Sequence, residues 1–164
     1  MKEFAIDSEE IASEPFHYRA CGLDDVYLLN GFTLEETDYG AGFSIHNVDG
    51  LHRAIGLYIV SHKNTLSARE VKFLRREMDI TQLELANKLG VDQQTVARYE
   101  KDQTPIPGPA DRYLRVLYVL FILPENIRNE VLNEITRILE TDDSVSDSAL
   151  VFKAENDHWI LEAG

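Results

Sequence analysis

Between Leu66 and Lys101 three helix starts follow one another in the same local grammar, and this repetition constrains the fold more than anything else in the chain. Ser67 stands three residues before Glu70, the spacing of a capping box. The hydroxyl accepts from the N–H of the third helical residue, and the carboxylate accepts from the cap residue's own N–H. Leu66 is placed to staple onto Val71. Thr81 and Glu84 repeat the box, with Ile80 set against Leu85, and Asp92 can cap a third helix with Val91 set against Val96. Gly90 follows Leu89 where a left-handed residue closes a helix. The spacing predicts helices over 67–78, 81–89 and 92–102. The prolines of Thr104-Pro105-Ile106-Pro107-Gly108-Pro109 predict a loop that cannot be helical. A fourth helix is expected near 110–123, and Pro124 can open a fifth running to about Glu140.

The flanks obey other rules. Residues 1–15 are acidic and read as a loose arm ending at Pro15. From Phe16 to Asn47 the runs Phe16-His17-Tyr18, Val26-Tyr27-Leu28-Leu29 and Phe43-Ser44-Ile45 are aromatic or β-branched, punctuated by Gly22, Asn30-Gly31, Gly40 and Gly42. They predict a small antiparallel sheet of two or three strands, with Asn30-Gly31 as a reverse-turn signal. Leu51, Ile55, Tyr58 and Ile59 have helical spacing; a strand over 55–60 is the alternative. Residues 141–148 read as a polar linker. Ala149–Phe152 and His158–Leu161 flank Glu155-Asn156-Asp157 as a terminal hairpin, which needs something to pack on. The fold class is α+β, mainly α. Its expected domains are 1–15 (arm), 16–65 (small α+β), 66–140 (helical) and 141–164 (linker and hairpin).

Two short helices joined by a tight glycine turn form a helix-turn-helix unit, whose second helix enters the DNA major groove. Leu85, Ala86 and Leu89 face Val91, Val96 and Tyr99, while Val71, Leu74 and Met78 close the core. That leaves Gln93, Gln94, Ala97, Arg98 and Lys101 outward on 92–102. Glutamine pairs in two-point fashion with adenine, and arginine with guanine O6 and N7. Gln94 and Arg98, four apart, share a face. Lys101 and Gln82 suit phosphates. The expected DNA contacts are therefore Gln82, Gln93, Gln94, Thr95, Arg98 and Lys101. Arg75 is assigned to an ion pair with Glu100, and Arg69, Lys72 and Arg76 to solvent or the DNA backbone.

Charge sorts the chain the same way. The whole carries −13, yet residues 66–123 hold nine basic and eight acidic side chains, against net −7 for each flank. Only the middle third would tolerate a phosphate backbone. No apolar run approaches the roughly 20 residues of a membrane-spanning helix. The start shows no signal-peptide core, so the expectation is a soluble cytoplasmic protein.

The stretch from Leu74 to Lys101, with Thr81-Gln82-Leu83-Glu84-Leu85-Ala86, Leu89-Gly90-Val91 and Arg98-Tyr99-Glu100-Lys101, closely resembles the Xre/Cro-type helix-turn-helix family, over about 66–123. The resemblance implies a five-helix repressor-type DNA-binding domain. A narrower likeness is to the MqsA/HigA group of antitoxin regulators, where the arginine of the Arg-Tyr-Glu-Lys stretch and a polar residue one turn earlier read bases. Here these are Arg98 and Gln94. That group holds zinc through two Cys-x-x-Cys pairs, and this chain has only Cys21. A mixed site of His17 and Cys21 with His46, His52 or His62 has irregular spacing. Cys21 is read instead as a small buried hydrophobe, with no metal and no cofactor.

No nucleophile elbow, phosphate loop or His-Glu-x-x-His is present, so no enzyme is expected. Two functions stay open: an antitoxin that represses its own operon and caps a basic toxin, or a stand-alone regulator whose acidic N-terminal part binds an effector or protein. Either would act as a homodimer on a palindromic operator. Ile127, Val131, Leu132, Ile135, Ile138 and Leu139 offer a dimer seam or an ordinary core face.

Overall fold

The computed structural model describes residues 3–5, 11–122, 124, 127, 133, 134, 137 and 149–162. The expected helix over 124–140 with its apolar seam, and the linker 141–148, lie outside the described residues apart from the isolated positions just named. The chain divides into two compact units, Met1–Ala54 with Asp147–Gly164, and Ile55–Ser146.

The first unit contains two small sheets. One has the order β1 (Glu3–Ala5), β4 (Phe32–Thr37), β5 (Gly40–Ile45), all antiparallel. Glu3–Ala5, expected within a loose arm, are thus a strand. The other has the order β2 (Phe16–His17), β3 (Val26–Leu28), β6 (Leu150–Glu155), β7 (His158–Leu161). The terminal hairpin finds its packing partner here: β6 runs parallel to β3, with Val26, Tyr27 and Leu28 opposite Leu150, Val151 and Phe152. Asn156 and Asp157, both at positive φ, close that hairpin as the right-handed strand twist requires.

Asn30-Gly31 departs from the expected reverse turn. The chain here crosses from β3 in one sheet to β4 in the other, and the hairpin lies at Asp38-Tyr39 instead. The buried Asn30 carboxamide donates to the Ala154 carbonyl at 3.0 Å and accepts from its N–H, as a strand residue would. Gly31 has φ +74, and a Cβ there would strike the Trp159 ring. An amide mimicking backbone and a glycine seating an indole explain this pair better than a turn does. Tyr18, Leu23, Val26, Leu28, Phe32, Leu51, Leu150 and Phe152 form the unit's core.

Helix α1 (Val48–His62) removes the strand alternative, since Leu51, Ile55 and Ile59 are all fully buried at four-residue spacing. The second unit continues with α2 (Ala68–Glu77), α3 (Gln82–Leu89), α4 (Gln93–Glu100) and α5 (Gly108–Ile122). Both capping boxes form as the spacing requires, and Asp92 caps α4. Helix α5 begins at Gly108, inside the segment expected to be non-helical. Pro109 sits in its first turn, where a missing N–H costs nothing.

Helices α2, α3 and α4 all end in the same left-handed closure, with Asp79, Gly90 and Asp102 at φ +53, +70 and +57. Ile80, Val91 and Gln103 then donate back to Arg75, Ala86 and Arg98. The core is Leu66, Val71, Phe73, Leu74, Met78, Leu85, Ala86, Val96, Tyr99, Leu114, Tyr118 and Val119. Within it lies a charged cluster the sequence does not advertise. Asp111 accepts from the Leu66 N–H and from Arg115 Nε, each at 2.6 Å, and Arg115 Nη1 donates to the Ile59 and Val60 carbonyls at 3.2 and 3.1 Å. Arg115 is only 1% exposed. It therefore ties the end of α1 and the entry to α2 onto α5.

Candidate nucleic-acid interface

Helix α4 owes its orientation to its inward side. Val96 and Tyr99 are buried, and the Glu100 side chain is 3% exposed. Glu100 accepts from Arg75 in a two-point fork at 2.5 and 3.1 Å, and from Gln82 Nε2 at 2.7 Å. Arg75 also donates to the Ile80 carbonyl at 2.8 Å. One carboxylate thus gathers α2, α3 and α4, and the planar guanidinium fixes its angle. The expected Arg75–Glu100 pair is present, with Gln82 as an added member.

With the inward side fixed, Gln94 and Arg98 are exposed on the opposite side of α4, Gln93 is exposed in its first turn, and Lys101 is exposed at its C-cap. Gln94 and Arg98 lie one turn apart, so both can approach neighbouring base edges. Gln82 and Thr95 are placed differently from the expectation. Gln82, half-buried, has its amide on Glu100. The Thr95 hydroxyl donates to Asp92 Oδ2 at 2.7 Å while its N–H donates to Oδ1 at 2.9 Å. Both residues position the helix rather than stand free on its outer face. The signal for Gln82 was a glutamine directly after an N-cap, which fits either role.

The helix starts are themselves filled by carboxylates. Hydrogen bonds from Thr95 hold the Asp92 carboxyl below its ordinary range. Hydrogen bonds from Thr81 do the same for Glu84. The first turn of α3 and the N-cap of α4 therefore carry their own anions. Arg69, Lys72 and Arg76 on α2 are exposed, as are Lys88 and Arg112.

In the first unit, the residues considered for a metal have other partners. His17 Nε2 lies 2.7 Å from the Asp24 carbonyl, His46 Nε2 2.9 Å from Thr33 Oγ1, and His52 Nε2 2.8 Å from Tyr18 Oη. Cys21 is half-buried rather than buried, with its thiol toward the Tyr18 carbonyl. Among the described residues no group of three or more His, Cys, Asp or Glu could hold a metal ion. Nor, among them, is any helix long and apolar enough to cross a membrane.

Residues 71–110 match the helix-turn-helix family model. The match covers about a quarter of the 164 residues and contains both α3 and α4 entire. Comparison with curated proteins and with solved structures found no match. The second unit thus carries a helix-turn-helix domain, a family of DNA-binding regulator domains, with α4 in the place of the groove-entering helix.

Proposed function

We propose that the protein is a sequence-specific transcriptional repressor that binds a palindromic operator as a homodimer, reading bases through Gln94 and Arg98. The observation that supports this most is the pairing of the Arg75–Glu100–Gln82 network, which locks α4 from within, with the outward exposure of Gln94 and Arg98. Gln93 and Lys101 flank them toward the phosphates. The test is selection of bound DNA from a random pool, followed by affinity measurement with variants. Arg98→Ala should lose about 1–3 kcal/mol on the selected site and relax preference at one guanine, whereas Lys101→Ala should weaken all sequences alike. Unchanged specific affinity in Arg98→Ala overturns the groove assignment.

Within that reading the protein is an antitoxin of the MqsA/HigA kind that represses its own operon. The support is a separate first unit, drawn from the acidic flanks, that contains none of the helix-turn-helix. Binding of a basic toxin there would change operator affinity by linkage. Rescue of growth on co-expression with the neighbouring gene tests this; no toxicity and no complex leaves the stand-alone regulator.

A further inference from the structure

Among the described residues strand β5 is the outer strand of its sheet, with β4 as its hydrogen-bonded neighbour in the order β1-β4-β5. The open side can be worked out from the register. His46 N–H donates to the Gly31 carbonyl at 2.8 Å, continuing the series Thr33–Ser44, Glu35–Gly42 and Thr37–Gly40. These are therefore the bonded pairs, and alternation turns the N–H and C=O of Ala41, Phe43 and Ile45 outward. Folded proteins protect such an edge with charge, proline or a bulge, and Gly40-Ala-Gly-Phe-Ser-Ile45 has neither charge nor proline.

The two faces beside that edge differ. On one, Leu34 and Phe43 stand directly opposite each other and are 37% and 45% exposed. On the other, Glu35 stands opposite Gly42, where an added Cβ would meet nothing nearer than the Glu35 carbonyl at 3.9 Å. Glu36, opposite Ala41, is exposed on the Leu34–Phe43 face farther along the hairpin, and Asp38 is exposed in its turn.

The geometry points to β5 as a docking edge for an extended, basic segment of a partner protein, whose sequence alternates apolar residues with lysine or arginine. Its apolar side chains lie beside Phe43 and Leu34. Its basic side chains reach across the bare Gly42 to Glu35, two strand spacings or about 10 Å away, within the combined span of a lysine and a glutamate. A second copy of this chain fits less well, because it would bring two acidic hairpins together in chains of net charge −13. The inference rests on reading the first unit as a protein-binding module. Peptide probes need no toxin, so failure of the edge and failure of the antitoxin reading are told apart.

The experiment titrates the full-length protein at low salt into fluorescent, end-blocked short peptides alternating valine with lysine or valine with glutamate. The lysine peptide should bind at least about tenfold more tightly, and Glu35→Lys should reverse the preference. Ala41→Pro, which removes one outward N–H, should abolish binding of both while Trp159 fluorescence and circular dichroism stay unchanged. Equal affinity for the two peptides, or a preference unmoved by Glu35→Lys, overturns the proposal. So does a self-associated protein that Ala41→Pro dissociates, since the edge would then belong to a second copy.

Discussion

Glu100→Ala tests whether the recognition helix is held from inside. The substitution leaves the Arg75 guanidinium, whose side chain is 13% exposed, with the Ile80 carbonyl as its remaining partner within the network, and removes the acceptor of the Gln82 amide. Removing one member of a buried pair costs about 3–5 kcal/mol, because the other charge stays behind uncompensated. Arg75 keeps that carbonyl and some solvent, so the lower end, about 3 kcal/mol, is expected. For a domain of this size that corresponds to a midpoint lower by roughly 12–24 °C. The lone tryptophan, Trp159, lies in the first unit, so its fluorescence follows that unit while far-ultraviolet circular dichroism follows mainly the helices. The dichroism transition should fall and the fluorescence transition should not. The double variant Arg75→Met/Glu100→Met should recover most of the loss, because it buries no orphaned charge. If Glu100→Ala costs less than about 1 kcal/mol, or the double variant costs the sum of the singles, the network does not hold α4.

Three further outcomes are expected. Gly31→Ala combines a left-handed φ with displacement of the Trp159 ring, so the first unit should lose about 2–4 kcal/mol, read from the fluorescence transition. Asp102→Asn keeps a residue tolerant of φ +57 and removes an anion from the C-terminal end of α4; stability should rise by a few tenths of a kcal/mol and DNA affinity with it, measured by denaturation and titration. Asp92 and Glu84 are both held below their ordinary carboxyl range, so their stabilisation is complete above the unfolded-state values and is lost as pH falls through the lowered ones. Acid titration of the helical unit should show this limb, and Glu84→Gln should flatten it.

Much of the helical unit could be read in advance because its information is local. A capping box needs residues three apart, a staple five apart, and a left-handed closure one glycine, and Ser67, Thr81 and Gly90 supply these within a single turn of chain. Asp79 and Asp102 close helices in the same way as Gly90 but escaped notice, because aspartate is only tolerant of positive φ and glycine advertises it. The first unit could not be read likewise. Strand β3 pairs with β6 across more than half the chain, and nothing near Val26 announces Leu150. Asn30 misled for the same reason: its dipeptide suits a turn, while its side chain is bonded to Ala154. Among the proposed site residues, the outward exposure of Gln94 and Arg98 followed from helical period alone. The placement of Gln82 needed the distance to Glu100, eighteen residues on.

The acidic balance of the chain fits the proposed DNA reading once distance is considered. Salt limits exposed charges to a range of about 8–10 Å, so a phosphate beside α4 senses Arg98 and Lys101 far more than a carboxylate several turns away. Asp92 and Glu84 accept from N–H groups of their own helix starts, and Asp102, next to Lys101, is the carboxylate that opposes a phosphate at short range. The remaining carboxylates act at low resolution, opposing the sequence-independent attraction that polycations have for any duplex. A protein built this way gives up nonspecific affinity, and its discrimination between operator and bulk DNA then depends on a few directed contacts. On the proposed reading those contacts require a helix that does not rock, so one buried carboxylate shared by Arg75 and Gln82 would matter more to recognition than the net charge does.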